Sequence, residues 1–337
     1  MGEFELIERY FKRGAHQLAR EVALGIGDDC ALLQPAPGTQ IAISSDMLVQ
    51  GRHFLPEVDP GALGHKALAV NLSDLAACGA QPRAFTLALA LPQADEAWLE
   101  AFSRGLFALA DAHQCELIGG DTTQGPLNIC ITVFGEVPVV SGRSQVLLRS
   151  GARPGDDVYV SGTLGDARLA LDALNGKLDI PAALLAQARV RLEQPTPRVA
   201  LGLALRGVAS AAIDVSDGLL GDLGHILETS NCGATIDASI AINLIAVCRP
   251  EENLNAQGKL KLSHEQRLSY VLAGGDDYEL LFTAPEAVRT AVQAASITSA
   301  TPVTRIGRIE TRPGLHLVDA QGKPVSGRFA SFDHFAR

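Results

Sequence analysis

Aspartates beside glycine or serine are the residues in this chain whose types and spacing could do chemistry. Six groups of this kind occur, in GIGDD (25–29), ISSD (43–46), NLSD (71–74), GGD (119–121), DVSDGLLGD (214–222) and GGDDY (274–278). Taken singly, an aspartate after a strand or at a helix start is more often a capping residue. Six groups are more than capping requires, so the pattern predicts a shared ligand.

Divalent cations would explain why carboxylates recur in this way. Hard ions such as Mg²⁺ bind carboxylate oxygens and complete their shell with hydroxyls, water and phosphate oxygens. Such an ion would also offset the repulsion between the adjacent Asp28 and Asp29. Glycine costs conformational entropy, so repeated Gly–Asp junctions indicate that another group comes close to the backbone. The pattern leaves open whether Asp28 itself caps a turn or binds an ion.

The usual phosphate-binding and catalytic motifs are missing from the sequence. No Gly-x-x-x-x-Gly-Lys-Ser/Thr segment occurs, which excludes a P-loop. GIGDDC follows the dinucleotide pattern Gly-x-Gly-x-x-Gly for three positions only and has Cys30 where the third glycine belongs. HExxH, Gly-x-Ser-x-Gly and the protein-kinase catalytic loop are also absent. Any phosphate must therefore bind through metal ions and a few cationic side chains.

Composition and charge restrict the class of protein. The chain has 337 residues, 47% of them hydrophobic, and a formal net charge of −10, which argues against a nucleic-acid partner. No apolar run approaches the roughly 20 residues of a membrane span, and the first 17 residues lack the apolar core of a signal peptide. We expect a cytoplasmic protein with no membrane partner. The six cysteines show no CxxC spacing and are predicted to be small core residues.

Alternating and helical patterns predict the elements that carry these acids. Strands are expected at 40–46, 84–92, 128–138 and 156–162, and long helices at 62–80 and 94–114. Later segments favour helices at 166–174, 218–230 and 285–296, and extended chain at 233–238, 278–285 and 303–310. ISSD would then follow a strand directly, and NLSD would lie on the first long helix. The mixed order predicts an α+β fold.

Length and local composition predict two domains, since single cores rarely grow past roughly 250–300 residues. Glycine and proline cluster at 149–156, before a new strand, so the boundary is placed there. The predicted domains are residues 1–148 and residues 149–337.

The motifs, taken together, resemble those of the thiamine-monophosphate kinase family. This family belongs to the superfamily of aminoimidazole ribonucleotide synthetase and selenophosphate synthetase. The resemblance covers essentially the whole chain. GIGDD and NLSD occur more loosely across the superfamily, whereas their combination with SSDMLVQGRHF and GGDDYEL is specific. The matching segments, in order, are GIGDDCALL, ISSDMLVQGRHF, KALAVNLSDLAACGAQP, LIGGDTTQGP, RSGARPGD, IDVSDGL, AGGDDYELLF and FDHF.

The resemblance implies a fold, an activity and partners. The fold would be the two-domain one of aminoimidazole ribonucleotide synthetase, in which the N-terminal ATP- and metal-binding domain pairs with its twin as a dimeric β-barrel. The C-terminal α+β domain would complete the cleft for nucleotide and substrate. The enzyme would be a homodimer that uses ATP and several Mg²⁺ ions to convert thiamine monophosphate to thiamine diphosphate. The number of ions and any need for a monovalent cation stay open.

Site residues are carried over by matching positions to the family's motifs. Asp276 departs from the pattern because glutamate is common there, and the segment around Phe329 aligns least securely, so core packing is an alternative role for Phe329. The implied metal shell is Asp29, Ser44, Ser45, Asp46, Asp74, Asp121, Asp214 and Asp217. The implied ATP contacts are Gly120, Asp121, Arg149 and Ser216, and the implied substrate contacts are His53, Asp276 and Phe329.

The implied chemistry needs no general base. A phosphate monoester is already anionic near neutral pH, so the barrier is the repulsion between two polyanions, and catalysis depends on positioning and charge stabilisation. We expect direct in-line transfer of the γ-phosphoryl group, with Arg149 adding fixed positive charge.

Three other functions share part of this sequence pattern. An enzyme like selenophosphate synthetase is disfavoured because residues 1–24 contain no cysteine. An enzyme like aminoimidazole ribonucleotide synthetase is the enzymatic alternative, and a non-catalytic nucleotide- or metal-binding protein is the other.

Overall fold

The computed structural model describes residues 2–13, 21–247, 262–325, 327 and 329. The chain divides into two compact units. The first comprises Met1–Leu75 and Ala80–Val146, and the second comprises Ala76–Gly79 and Leu147–Arg337. None of the described helices is long and apolar enough to cross a membrane.

The first unit is a sheet with helices packed on one side of it. Its main sheet has the strand order β3-β6-β4-β5, in which only β4 and β5 run parallel, and β7 extends β6. The helices are α1 (Glu3–Tyr10), α2 (Pro60–Ala77) and α3 (Glu96–Ala112). The strands are β1 (Val22–Leu24), β2 (Leu32–Leu33), β3 (Thr39–Val49), β4 (Gln81–Leu91), β5 (Glu116–Gln124), β6 (Asn128–Val140) and β7 (Arg143–Ser144).

Helices α2 and α3 supply the apolar core of the first unit. Leu68 and Leu72 of α2 and Phe102 and Leu106 of α3 are fully buried. These pairs are four residues apart, so each pair lies on one helix face. Asp95 caps α3 by accepting hydrogen bonds from the backbone N–H groups of the next turn. The buried faces hold α2 against the sheet and thereby fix the side chains that α2 presents to β3.

The second unit is built on a six-stranded sheet of order β13-β10-β12-β8-β11-β9, with only β10 and β13 parallel. Its strands are β8 (Asp157–Ser161), β9 (Ala211–Asp214), β10 (Gly233–Asp237), β11 (Leu280–Ala284), β12 (Val303–Glu310) and β13 (Gly314–Val318). Its helices are α4 (Asp166–Leu174), α5 (Ala182–Glu193), α6 (Val199–Ala204), α7 (Leu219–Ser230), α8 (Ala238–Ala241), α9 (His264–Ala273) and α10 (Arg289–Thr298). Short 3₁₀ turns span Ile242–Leu244 and Glu286–Val288.

The α+β prediction is confirmed, and most predicted elements are present. One local expectation was wrong: ISSD does not follow a strand, because β3 continues to Val49 and contains Ser44, Ser45 and Asp46. Polar residues are tolerated there because β3 lies at the edge of its sheet.

The cysteine prediction holds in part. Cys115 and Cys232 are buried, Cys78 and Cys130 are half-buried, and Cys30 is exposed. Cys248 lies outside the described residues.

Candidate active site

Strand β3 and helix α2 bring three predicted metal ligands together. Ser44 and Asp46 are two residues apart and so share one face of β3. On α2, Asn71 and Asp74 are one turn apart and face that strand. The Ser44 hydroxyl donates to Asp74 Oδ2 at 2.5 Å, and the Asp46 backbone N–H donates to Asn71 Oδ1 at 3.0 Å. The result is an oxygen-rich cluster, which we call the β3–α2 cluster: Ser44, Asp46, Asn71 and Asp74.

Asn71 is a member of this cluster that the sequence argument did not single out. It is buried, and its Nδ2 donates to the Ala67 carbonyl at 3.0 Å. This bond sets the orientation of the amide, so that its oxygen faces the Asp46 backbone N–H. The position within NLSD was the available signal, since an asparagine three residues before Asp74 must share its helix face.

Ser45 points away from the β3–α2 cluster, since neighbouring residues of a strand face opposite sides. Its hydroxyl lies 2.9 Å from Thr132 Oγ1 and donates to the Ile131 carbonyl at 3.2 Å. The structure therefore brings Ser44 to the cluster but not Ser45.

Asp121 also lies apart from the cluster. The strand register puts Asp46, Ile131, Leu87 and Gly120 in one row across the sheet. Three strand steps of about 4.8 Å place the Asp46 and Gly120 backbones about 14 Å apart. One ion cannot bind both Asp46 and Asp121 within this unit, so two separate sites would be needed.

The adjacent pair at the start of the chain forms a turn. Asp28 and Asp29 are both exposed, and the Asp29 backbone N–H donates to Asp28 Oδ1 at 2.9 Å. The Asp28 side chain thus accepts a hydrogen bond from the adjacent backbone. The carboxylate of Asp29 is presented to solvent.

His53 has a defined ring orientation. Its Nδ1 accepts a hydrogen bond from the Val49 backbone N–H at 3.0 Å, across the turn that follows β3. In the neutral ring the proton must then be on Nε2, because Nδ1 is an acceptor. The Nε2 of the neutral ring is therefore a hydrogen-bond donor.

In the second unit, the loop between β9 and α7 is organised by Asp222. Asp222 is buried in the first turn of α7, and its Oδ2 accepts from the backbone N–H groups of Ser216, Asp217 and Gly218 at 3.1–3.2 Å. Burial raises the pKa of Asp222 to about 7; the nearby Asp217 carboxylate adds to the rise, and the three N–H groups oppose it. A cation near Asp217 would favour the ionised form. Asp214, the last residue of β9, is buried beside this loop.

The GGDDYE loop is hydrogen-bonded directly to this β9–α7 loop. The Asp276 N–H donates to the Ser216 carbonyl and the Tyr278 N–H donates to the Val215 carbonyl, both at 2.8 Å. Asp276 and Tyr278 have φ angles of +60° and +51°, and the Tyr278 hydroxyl lies 3.2 Å from Asp276 Oδ1. The structure therefore brings Ser216 and Asp217, predicted to meet ATP and metal, together with Asp276, predicted to meet the substrate.

Two predicted residues lie apart from these loops. Arg149 is exposed in the segment that precedes β8. Phe329 is half-buried and packs against the hydrophobic core of the second unit. The core contact agrees with the packing role that the sequence offered as an alternative.

The donor atoms are suited to Mg²⁺. The predicted ligands are carboxylate and hydroxyl oxygens, which hard cations prefer over nitrogen or sulphur. Within the described part of the chain, no group of three or more His, Cys, Asp or Glu side chains could hold an ion by itself. This arrangement fits an ion that takes one or two carboxylates and completes its shell with phosphate oxygens and water, as Mg²⁺ usually does.

Comparison with known proteins identifies the family. Residues 27–137 match the AIR synthase related protein N-terminal domain, and residues 153–320 match the corresponding C-terminal domain. The chain is 47% identical to the thiamine-monophosphate kinases of Salmonella typhimurium and Escherichia coli K12, over 99% of this chain and 98% of each relative. It is 32% identical to that of Bacillus subtilis, over 93% of this chain and 92% of the relative.

Solved structures agree with the sequence relatives. A thiamine-monophosphate kinase from Stenotrophomonas maltophilia K279a has a TM-score of 0.79 at 44% identity, with 96% of both chains covered. AaThiL complexed with AMPPCP and TMP has a TM-score of 0.72 at 29% identity, with 89% of both chains covered. The hydrogenase maturation protein HypE in complex with ATP shares the fold, at 20% identity and a TM-score of 0.72 over 98% of this chain and 95% of that one. The chain belongs to the thiamine-monophosphate kinase family, within the AIR synthase related proteins.

Proposed function

We propose that this protein transfers the γ-phosphoryl group of ATP to thiamine monophosphate and releases thiamine diphosphate and ADP. The observation that carries the proposal is 47% identity with curated thiamine-monophosphate kinases over 99% of the chain. The complex of AaThiL, a 29% identical neighbour, with AMPPCP and TMP supports the same pair of substrates. The β3–α2 cluster and the two joined loops supply the oxygen ligands that such a reaction needs.

The reaction depends on positioning and charge. The acceptor phosphate is anionic near neutral pH, so no side chain has to remove a proton to create the nucleophile. Mg²⁺, when bound, would shield the charges of the two phosphate groups and hold their oxygens. Asp74 accepts a hydrogen bond from Ser44, Asn71 holds the Asp46 backbone, and Asp222 organises the loop that carries Asp217. Each group of residues would bind ions through its own carboxylates, and the γ-phosphoryl group would move in line.

The residue roles in this proposal follow the family motifs. Asn71 and Asp222 are added as residues that orient the cluster and the β9–α7 loop. Arg149 supplies positive charge to ATP, and the Nε2 of His53 donates to thiamine monophosphate. The residues proposed to hold metal ions are Asp29, Ser44, Ser45, Asp46, Asp74, Asp121, Asp214 and Asp217. The residues proposed to bind ATP are Gly120, Asp121, Arg149 and Ser216. The residues proposed to bind thiamine monophosphate are His53, Asp276 and Phe329.

The functional assembly is a homodimer in this proposal, formed by the N-terminal domain of residues 1–148, with the C-terminal domain of residues 149–337 completing the site. Support comes from the sheet face opposite α2 and α3. Ile43 and Met47 of β3 are 63% and 53% exposed there, and Met47 lies in one row with Cys130 and Ala88. A second copy that covers this face would remove apolar surface from water. We retain a cytoplasmic location as a prediction.

The Asp74→Asn variant tests the metal-site assignment. Losing one carboxylate charge from the β3–α2 cluster should lower turnover by roughly a hundredfold or more, while thermal unfolding changes little because the amide keeps the same shape. Thiamine diphosphate formation at saturating Mg²⁺ measures the effect.

The matched control is Asp111→Asn, which removes an exposed carboxylate that pairs with Arg13 in the same unit. It should keep full turnover. Normal turnover in the Asp74→Asn enzyme would remove Asp74 from the site.

A further inference from the structure

A fully buried carboxylate lies behind the two joined loops of the second unit. Glu279, at the end of the GGDDYE loop, has no exposed surface. Its oxygens accept from Ser161 Oγ at 2.5 Å, from Arg191 Nη2 at 2.7 Å, and from Arg198 Nε and Nη2 at 2.6 and 2.5 Å. Two arginines and a hydroxyl therefore satisfy one carboxylate.

The Glu279 carboxylate occupies the space that a side chain at position 162 would fill, which requires a glycine there. A Cβ at Gly162 would lie 2.1 Å from Glu279 Oε1, and the φ angle of +54° is one that side-chain-bearing residues rarely adopt. Burying a charge is expensive unless its hydrogen bonds are complete. Removing one arginine would leave Glu279 under-compensated and free to shift.

Glu279 and its arginines are bonded to both loops. The Glu279 carbonyl accepts from the Val215 N–H at 2.8 Å, in the residue before Ser216. Arg191 Nη2 also donates to the carbonyl of Asp277, the residue after Asp276, at 3.1 Å. A movement of the Glu279 side chain and its arginines would therefore reach both the β9–α7 loop and the GGDDYE loop.

Two glycines let the loops approach closely. A Cβ at Gly275, where φ is +72°, would lie 2.7 Å from the Ser216 carbonyl oxygen. A Cβ at Gly218, where φ is +114°, would lie 2.9 Å from Ala273 backbone atoms. The glycines beside the aspartates of these loops thus leave room for a neighbouring backbone. The β9–α7 loop and the GGDDYE loop therefore pack directly against each other.

We propose that Glu279, held by Arg191 and Arg198, is a positioning residue that sets the ATP and metal loop and the substrate loop in one arrangement. It acts through Val215 and Asp277 and contacts neither substrate itself. The inference rests on the proposed assignment of Ser216, Asp217 and Asp276. Since a displacement of about 1 Å can cost a hundredfold in such reactions, loosening this carboxylate should weaken the productive binding of both substrates.

The test compares Arg198→Met with Arg289→Met. Arg289 makes an equivalent two-bond ion pair with the buried Asp157, at 2.6 and 2.9 Å, between α10 and β8 and outside both loops. Both variants remove an arginine from a buried carboxylate in the same unit. KM for ATP, KM for thiamine monophosphate, kcat and the melting temperature are measured for each.

We expect Arg198→Met to raise both KM values at least tenfold and Arg289→Met to lower only the melting temperature. Arg198→Lys keeps the charge without the paired bonds, so it should show a smaller rise in both KM values; it decides the matter if Arg198→Met does not fold. Unchanged KM values in the folded Arg198 variants would overturn the proposal and leave a purely stabilising ion pair.

Direct variants separate this inference from the assignment on which it rests. Ser216→Ala should raise KM for ATP and Asp276→Ala should raise KM for thiamine monophosphate if those residues contact the substrates. Failure of both would overturn the site assignment. Success of both, with no effect in the Arg198 variants, would overturn only the positioning role of Glu279.

Discussion

At the scale of single residues, the recurring aspartates divide into two kinds. Asp46 and Asp74 belong to an oxygen-rich cluster, whereas Asp28 and Asp222 accept backbone N–H groups and shape the loops that present their neighbours. Both kinds occur beside glycine or serine. Whether an aspartate joins the cluster or binds backbone N–H groups depends on the direction in which its side chain points, and the fold sets that direction.

The role of Tyr278 can be tested by removing a single atom, its hydroxyl oxygen. Its hydroxyl lies 3.2 Å from Asp276 Oδ1, so it would orient the carboxylate proposed to meet thiamine monophosphate. Tyr278→Phe should raise KM for thiamine monophosphate by about three- to tenfold, since a hydrogen bond contributes about 0.5–1.5 kcal/mol. KM for ATP should stay unchanged. Steady-state kinetics with each substrate varied in turn measures both, and an equal rise in the two KM values would contradict a specific link to Asp276.

The sequence predicted which residues belong to the proposed site better than it predicted which of them lie close together. Family motifs identified Ser44, Asp46 and Asp74, and the structure places them together. Asn71 and Asp222 lie within NLSD and DVSDGLLGD, but their roles were missed because the backbone N–H groups that they bind become visible only in the folded chain. The separation of Asp46 from Asp121 was also hidden, because it depends on the strand order β3-β6-β4-β5.

At the scale of elements, the glycine of GGD is needed for strand packing, whereas the sequence pattern had suggested that a ligand comes close to it. Gly120 lies in β5 with φ of +145°, and a Cβ there would lie 1.8 Å from the Leu87 carbonyl of β4. The close approach comes from a neighbouring strand. Helix α4, by contrast, could be predicted at its observed bounds from helical spacing alone, because its pattern is local.

Adjacent glycines give a matched test of this reading. Gly120→Ala should destabilise the protein by about 2 kcal/mol or more, because the methyl group overlaps β4. Gly119→Ala should change stability by less than about 1 kcal/mol, since a Cβ there meets nothing within 4 Å. Denaturant unfolding compares the two variants. Equal effects would show that Gly120 is not required for the pairing of β4 with β5.

At the scale of the whole molecule, the chain consists of two units, and each carries residues of the proposed site. The β3–α2 cluster lies in the first unit, and the two joined loops lie in the second. Periodicity in the sequence predicted two domains and an α+β fold but no pairing of copies. Pairing depends on which apolar side chains of the sheet stay exposed, and among the described residues only the tertiary structure shows that Ile43 and Met47 do.

The exposed Ile43 and Met47 side chains of β3 predict a dimer that a single charge should break. Ile43→Asp places a carboxylate on the face that a second copy would cover, and burying an unpaired charge is costly. We expect at least a hundredfold weaker self-association in sedimentation velocity. Ile297→Asp, at a position 71% exposed on α10, is the control and should leave the dimer intact. A monomeric parent protein, or a dimer unaffected by Ile43→Asp, would refute pairing through this face.

A product assay tests the proposed phosphoryl transfer directly. Purified protein is incubated with ATP, Mg²⁺ and thiamine monophosphate, and thiamine diphosphate and ADP are quantified in the same samples. Equal amounts of both products are expected, because each transfer forms one of each. ADP and free phosphate without thiamine diphosphate would instead indicate an enzyme that activates an amide, and no loss of ATP would indicate a binding protein; either result would contradict the proposed function.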